Sequence, residues 1–177
     1  MIGETLPGTR RLPVAVLVER APSASAWQDW SWRVAEVLEG EMPEVQPWTV
    51  LREHAGRTLF FAGRADVVLH PTDTDNLKHN LEAEAPQIWV VLRPVAAAPG
   101  MALHLVTVDA GEAPLYAEVG ADLLEALPMP PGLRAVTEAF VAEHHRERGF
   151  VKRRRDRADP EALGRRGPGE EPNGEAT

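Results

Sequence analysis

The chain is 177 residues long, 44% apolar and 26% charged, with no cysteine and a formal net charge of −8. That length fits a single domain with a sizeable core, and the missing thiols exclude disulfides and thiolate metal sites and point to a reducing compartment. The acidity is uneven: residues 1–145 carry 10 Lys/Arg against 20 Asp/Glu, net −10, whereas residues 146–157 carry 7 against 2, net +5, so nucleic acid is not expected as a partner of the acidic body.

Residues 1–11 read as an N-terminal tail, 12–150 as one domain, and 151–177 as a disordered tail that is basic and then acidic. Met1 to Thr9 has no apolar stretch behind a basic patch, so no signal peptide is expected. The longest apolar runs, such as Ile88 to Leu92, are too short to span a bilayer. The expected location is the cytoplasm, with no membrane partner.

From Arg11 to Arg20, Leu12, Val14, Val16 and Val18 alternate with Ala15 and Leu17, the pattern of a strand buried largely on both sides. Ala21-Pro22-Ser23-Ala24-Ser25 breaks it. Trp27 to Leu38 then reads as a strand through Trp30, Trp32 and Val34, although Trp30, Val34, Val37 and Leu38 also suit a helix. Further strands are expected at Trp48–Glu53, Thr58–Ala62, Ala65–His70, Leu77–Glu84, Gln87–Arg93 and Ala102–Asp109. Turn signals separate them, among them Ala55-Gly56, Gly63-Arg64, the polar run Thr72 to Asn76, and Pro99-Gly100. Short connections imply antiparallel pairing, because parallel pairs need long crossovers.

The period changes after Asp109. Leu115, Tyr116, Val119, Leu123, Leu124 and Leu127 fall at helical spacing over Ala113–Leu127, and Pro128 with Pro130-Pro131 stops that helix. Gly132 to His145 reads as a second helix with Leu133, Val136, Phe140 and Val141 on its apolar side. The expected fold is therefore α+β: an antiparallel curved sheet or partly open barrel built as a meander, followed by two C-terminal helices.

The inventory for catalysis is thin. Ser23, Ser25 and Ser31 lie in no Gly-x-Ser-x-Gly elbow, and neither a P-loop nor a Gly-x-Gly-x-x-Gly fingerprint occurs. Asp73, Asp75 and Glu84 fall at positions 1, 3 and 12 of a calcium-type loop, but Leu77 and Lys78 stand where a ligand and a glycine are needed. A solvated hairpin turn is the expectation there. His144 and His145 are adjacent on a helix and point about 100° apart, which suits a helix C-terminus better than a chelate. No catalytic residue, metal ligand or cofactor is assigned, and the inventory does not favour an enzyme.

Five of the ten aromatic residues are tryptophan, a residue that serves cores and interface hot spots alike. Trp30 and Trp32 at strand spacing share one face, opposite Ser31. That face is expected to be the core, with Trp27 exposed at the turn end. The partner-binding candidates are Trp27 and Trp30, together with Lys152, Arg153, Arg154 and Arg155 of the basic run, whose cations suit an acidic protein surface or a phosphate-rich one.

Several of these segments carry a resemblance. Pro13 to Arg20 with Trp27, Trp30 and Trp32, then Val67 to His70, Asn80-Leu81, Trp89 to Arg93, Pro128 to Pro131, Phe140-Val141, His144 and the basic run resemble a small bacterial family of unknown function whose genes lie beside formate dehydrogenase genes. The likeness covers roughly residues 12–157. Some members are labelled molybdopterin-guanine dinucleotide biosynthesis protein A, but a transferase of that kind needs a Gly-rich loop after its first strand, and this chain has no glycine between Val18 and Gly40. The resemblance implies a non-catalytic accessory, assembly or regulatory module that binds a protein, with a formate dehydrogenase subunit as the candidate partner. The alternative it leaves is an enzyme or carrier related to the molybdopterin cofactor, acting through the His70–His79 region.

Overall fold

The computed structural model describes residues 7–40, 44–117 and 120–146. Among them the elements run β1 (Arg10–Pro22), β2 (Trp30–Glu39), β3 (Thr49–His54), β4 (Arg57–Leu69), α1 (Thr74–Leu81), β5 (Gln87–Pro94), β6 (Met101–Thr107), β7 (Leu123–Pro128) and α2 (Pro131–His144). The strands form two sheets, ordered β2-β1-β4-β3 and β6-β5-β7, and every pair is antiparallel. The fold is α+β, with two antiparallel sheets that do not close into a barrel.

Alternation along β1 carries Val14, Val16 and Val18 into a core shared with Ile88, Val90 and Leu92 of β5, all essentially inaccessible to solvent. The sheets approach each other where β4 meets β6 and β2 meets β7. At the second of these, the register of β2 against β1 slips by one residue between Val34 and Glu36. The Val34 N–H there donates a 2.5 Å hydrogen bond to the Glu125 carboxylate of β7, so an irregular strand still satisfies its backbone.

The helices contribute Leu77, Leu133, Phe140 and Val141 to the same core. Buried positions 133, 137, 140 and 141 of α2 are those of one helical face. Its first N–H groups are capped from a distant strand: the Glu39 carboxylate accepts from Gly132 at 3.2 Å and also from Leu133. Buried Asn80 ties α1 to the second sheet, donating through Nδ2 to the Gln87 and Val108 carbonyls at 2.7 and 2.8 Å and accepting from the Gln87 N–H at 2.9 Å.

Four local expectations are corrected. Thr58–Ala62 and Ala65–His70 are one strand, β4, because Gly63, at φ +143°, lets the chain pass through a bulge without ending the ladder. Leu77–Glu84 is not a strand: Leu77 and Leu81 alternate with polar residues, but they also lie one helical turn apart, and α1 uses that second spacing. The polar run Thr72 to Asn76 is accordingly a 3-10 turn, Pro71–Asp73, leading into α1 and not a hairpin turn. Ala113–Leu127 is not a helix: a 3-10 turn covers Ala113–Tyr116, Gly120 takes φ +66°, and Leu123–Pro128 pairs with β5. One helix, α2, therefore follows the strands, and the other interrupts them. No helix among the described residues is long and apolar enough to cross a membrane.

Candidate functional site

Strands β1 and β2 pair as far as Pro22 and Trp30, beyond which a loop turns on its own serines. Ser23 Oγ accepts from the Ser25 N–H at 3.0 Å, and Ser25 Oγ accepts from the Trp27 N–H at 3.3 Å, the local bonding that suits serine to turns. Trp27 at the loop tip is 94% exposed and Trp30 is 41% exposed. Trp27 is thus exposed as expected. Trp30 shares a face with Trp32, also as expected, but that face leaves the core before it reaches Trp30, so Trp30 is a surface residue while Trp32 packs against the core.

Arg20 stands on the same face, opposite Trp32 on β2 and Thr58 on β4. Its guanidinium carbon lies 4.3 Å from the Trp30 ring, 5.2 Å from Phe60 and 5.7 Å from Trp32, all within cation–π range. Beneath it Trp32, Trp48 and Phe60 contact one another with centroids 5.9–6.0 Å apart. Trp48 holds its place with φ +64° and donates its N–H to the Phe61 carbonyl at 2.5 Å, an unusual backbone for a bulky residue. Trp30 is therefore joined through Arg20 to a base of three packed aromatic rings.

Beside Trp30 opens a cleft of about 520 Å³ lined also by Asp29, Trp32, Met101, Asp122 and Leu123. Asp122 is held there by Arg93, whose Nε and Nη2 donate at 2.9 and 2.6 Å. These hydrogen bonds outweigh desolvation and hold the Asp122 carboxyl below its ordinary 3.8, while raising Arg93. On the opposite face of the first sheet, desolvation alone would raise Glu19, but Arg33 at 3.1 Å and Arg57 at 2.8 Å prevail and hold it below its ordinary 4.5.

The His70 region forms a second cleft of about 430 Å³, lined by Asp66, Asp73, Asp109, Glu112 and Asn76 as well as His70. Asp109 Oδ1 is engaged by the Gly111 and Glu112 N–H groups at 2.6 and 3.1 Å, and His70 Nδ1 lies 3.2 Å from Thr9 Oγ1. Among the described residues no group of three or more His, Asp or Glu is placed to hold a metal ion. His144 packs its ring on Phe140, centroids 4.5 Å apart, and His145 Nδ1 lies 3.4 Å from Thr74 Oγ1. Lys152, Arg153, Arg154 and Arg155 lie outside the described residues.

Arg20 was missed by sequence reasoning, and its signal was present. It follows Val14, Val16 and Val18 at period two, which places a cation on an otherwise apolar row.

A two-sheet α+β domain presenting tryptophans on an arginine-stacked hairpin is, by class, a small domain with an exposed aromatic face. A family model matches residues 13–154, and the chain belongs to that family, a protein of unknown function (DUF3305). No curated protein and no solved structure matches it.

Proposed function

We propose that this protein is a non-catalytic accessory module of the cytoplasm that acts by binding another protein, and that the partner is a formate dehydrogenase subunit. The observation that carries the binding role is the pairing of Trp27 with Trp30 on one hairpin, the first almost wholly in water and the second stacked on Arg20. Tryptophan and arginine are the residues that most often dominate interface energetics. A tryptophan side chain buries roughly 150–250 Å², so covering one ring offers about 4–6 kcal/mol before the costs of association. The link to formate dehydrogenase is supported by the resemblance carried by Pro13 to Arg20, the three tryptophans and the later landmarks. The basic run Lys152 to Arg155 is proposed as a second docking element.

The alternative, a molybdopterin-related enzyme or carrier working through the His70 region, fits less well. A phosphate-bearing pterin is anionic, and four carboxylates line that cleft, an arrangement that repels it. Affinity capture from the native host, with mass spectrometry of proteins and bound small molecules, tests both readings. Retrieval of a formate dehydrogenase subunit by the wild type and its loss with Trp27→Ala is the expected result. Retrieval of no such subunit, or of bound pterin in its place, rejects the proposal.

A further inference from the structure

We infer that Arg20 is the anion receptor of this docking face, and that the protein partner sets an Asp or Glu carboxylate on its guanidinium beside an apolar side chain that covers Trp30. The inference rests on reading the Trp27–Trp30 hairpin as a docking face and names what that face recognises.

Neighbouring cations have carboxylates. Arg33 and Arg57 share Glu19, Arg93 holds Asp122, and Arg11 reaches Asp66 at 3.7 Å. Arg20 has none. Its Nε is buried without a hydrogen-bond partner, and among the described residues its guanidinium enters no hydrogen bond or ion pair, only the three ring contacts. Rings attract the cation through their faces but do not replace the in-plane acceptors that its N–H groups lost on leaving water. A cation fixed in orientation, partly dehydrated and unneutralised is a poor choice for folding alone, since an apolar side chain of similar size would fill the same space with no unmet donor. It is a good choice for recognition.

The shape of the site selects the ligand. Burial closes the Nε side of the guanidinium and leaves its Nη1–Nη2 end for a planar two-oxygen acceptor, one of the bidentate geometries in which arginine binds carboxylates. A free anion would use only that end. A carboxylate carried on a protein also brings apolar surface, and Trp30, exposed and stacked on the guanidinium, supplies an apolar rim that excludes water beside such a contact. The net negative charge of the body does not decide the matter, because screening limits its reach to about 8 Å at physiological salt.

The test is an NMR titration of the ¹⁵N-labelled full chain, following the Arg20 Nε–Hε and Trp30 indole signals. The probes are N-acetyl-Leu-Glu-Leu amide, its glutamine counterpart and inorganic phosphate. Saturable shifts of both signals with the glutamate peptide are expected, with about tenfold weaker binding for the glutamine peptide, the usual scale for losing one charge-assisted pair. Arg20→Met should abolish the response while leaving the melting temperature unchanged or higher. Arg20→Lys, which keeps charge but not the fork, should bind the peptide more weakly than wild type and serves if the methionine variant fails to fold. Equal response to the two peptides, phosphate binding more tightly than the glutamate peptide, or undiminished binding by both variants would overturn the inference. Partner capture that needs Trp27 but is indifferent to Arg20 removes the receptor role and spares the docking face. Failure of the wild type to capture any formate dehydrogenase subunit, with the peptide result intact, does the reverse.

Discussion

Asn80→Ala offers the sharpest check on how α1 is held to the second sheet. Asn80 is 3% exposed, and its amide makes three hydrogen bonds of 2.7–2.9 Å to backbone groups of Gln87 and Val108. A typical intramolecular hydrogen bond contributes about 1 kcal/mol net, and each buried backbone group left without a partner costs about 1–3 kcal/mol. Alanine leaves one N–H and two carbonyls without the amide that pairs them, so a loss of about 3–5 kcal/mol is expected from these terms. Asn80→Asp sharpens the reading. An aspartate can still accept from the Gln87 N–H, but at neutral pH it turns a second carboxylate oxygen toward two carbonyls, so it should be at least as damaging as alanine. Urea unfolding followed by circular dichroism measures both, with an unchanged m-value marking a native-state effect. A loss below about 1 kcal/mol for alanine, the value of a single surface-grade bond, would mean that the clamp does not operate as described.

Trp32→Ala should cost about 3–5 kcal/mol, the range for emptying a large aromatic site, whereas Trp27→Ala should stay within about 0.5 kcal/mol of wild type; equal destabilisation in thermal melts would refute that division. Glu39→Ala removes the cap of α2 and should destabilise by about 1–2 kcal/mol, read as a shift in urea midpoint with helix content otherwise retained. Asp122 and Glu19 both titrate lower in the folded chain than their ordinary 3.8 and 4.5, so the unfolded chain binds protons first as pH falls. Their contribution is complete above those ordinary values and is lost as pH drops through the depressed folded ones; Asp122→Asn should flatten the acid limb of a stability–pH curve, and an unaltered limb would count against the pair. A chain ending at Gly149 should capture less partner at low salt, with the deficit shrinking as salt is raised. Equal capture by the two lengths would leave the basic run without a docking role.

Several features were legible in the residues themselves. The alternation of Val14, Val16 and Val18, the apolar runs at Thr58–Ala62 and Gln87–Arg93, and the 3.6-residue spacing of Leu133, Phe140 and Val141 specify strands and a helix locally, because the period of an amphipathic element is a property of its backbone. The antiparallel α+β class follows from those periods and from connections too short for parallel crossovers. The exposure of Trp27 was also legible, from its position in a turn.

Other features belong to the tertiary structure. Leu77 with Leu81 and the leucines of 115–127 satisfy both a period of two and a helical spacing, and the choice was made by non-local partners: Asn80 reaching Gln87 and Val108, and Leu123–Pro128 filling the free edge of β5. The division into two sheets depends on which edges β4 and β2 present to β6 and β7, a long-range matter that no window of sequence contains. The same holds for the aromatic face. Sequence places Arg20, Trp30 and Trp32 on one side of a hairpin, but only the extent of the second sheet decides that the core reaches Trp32 and stops before Trp30, leaving an exposed tryptophan stacked on a half-buried arginine.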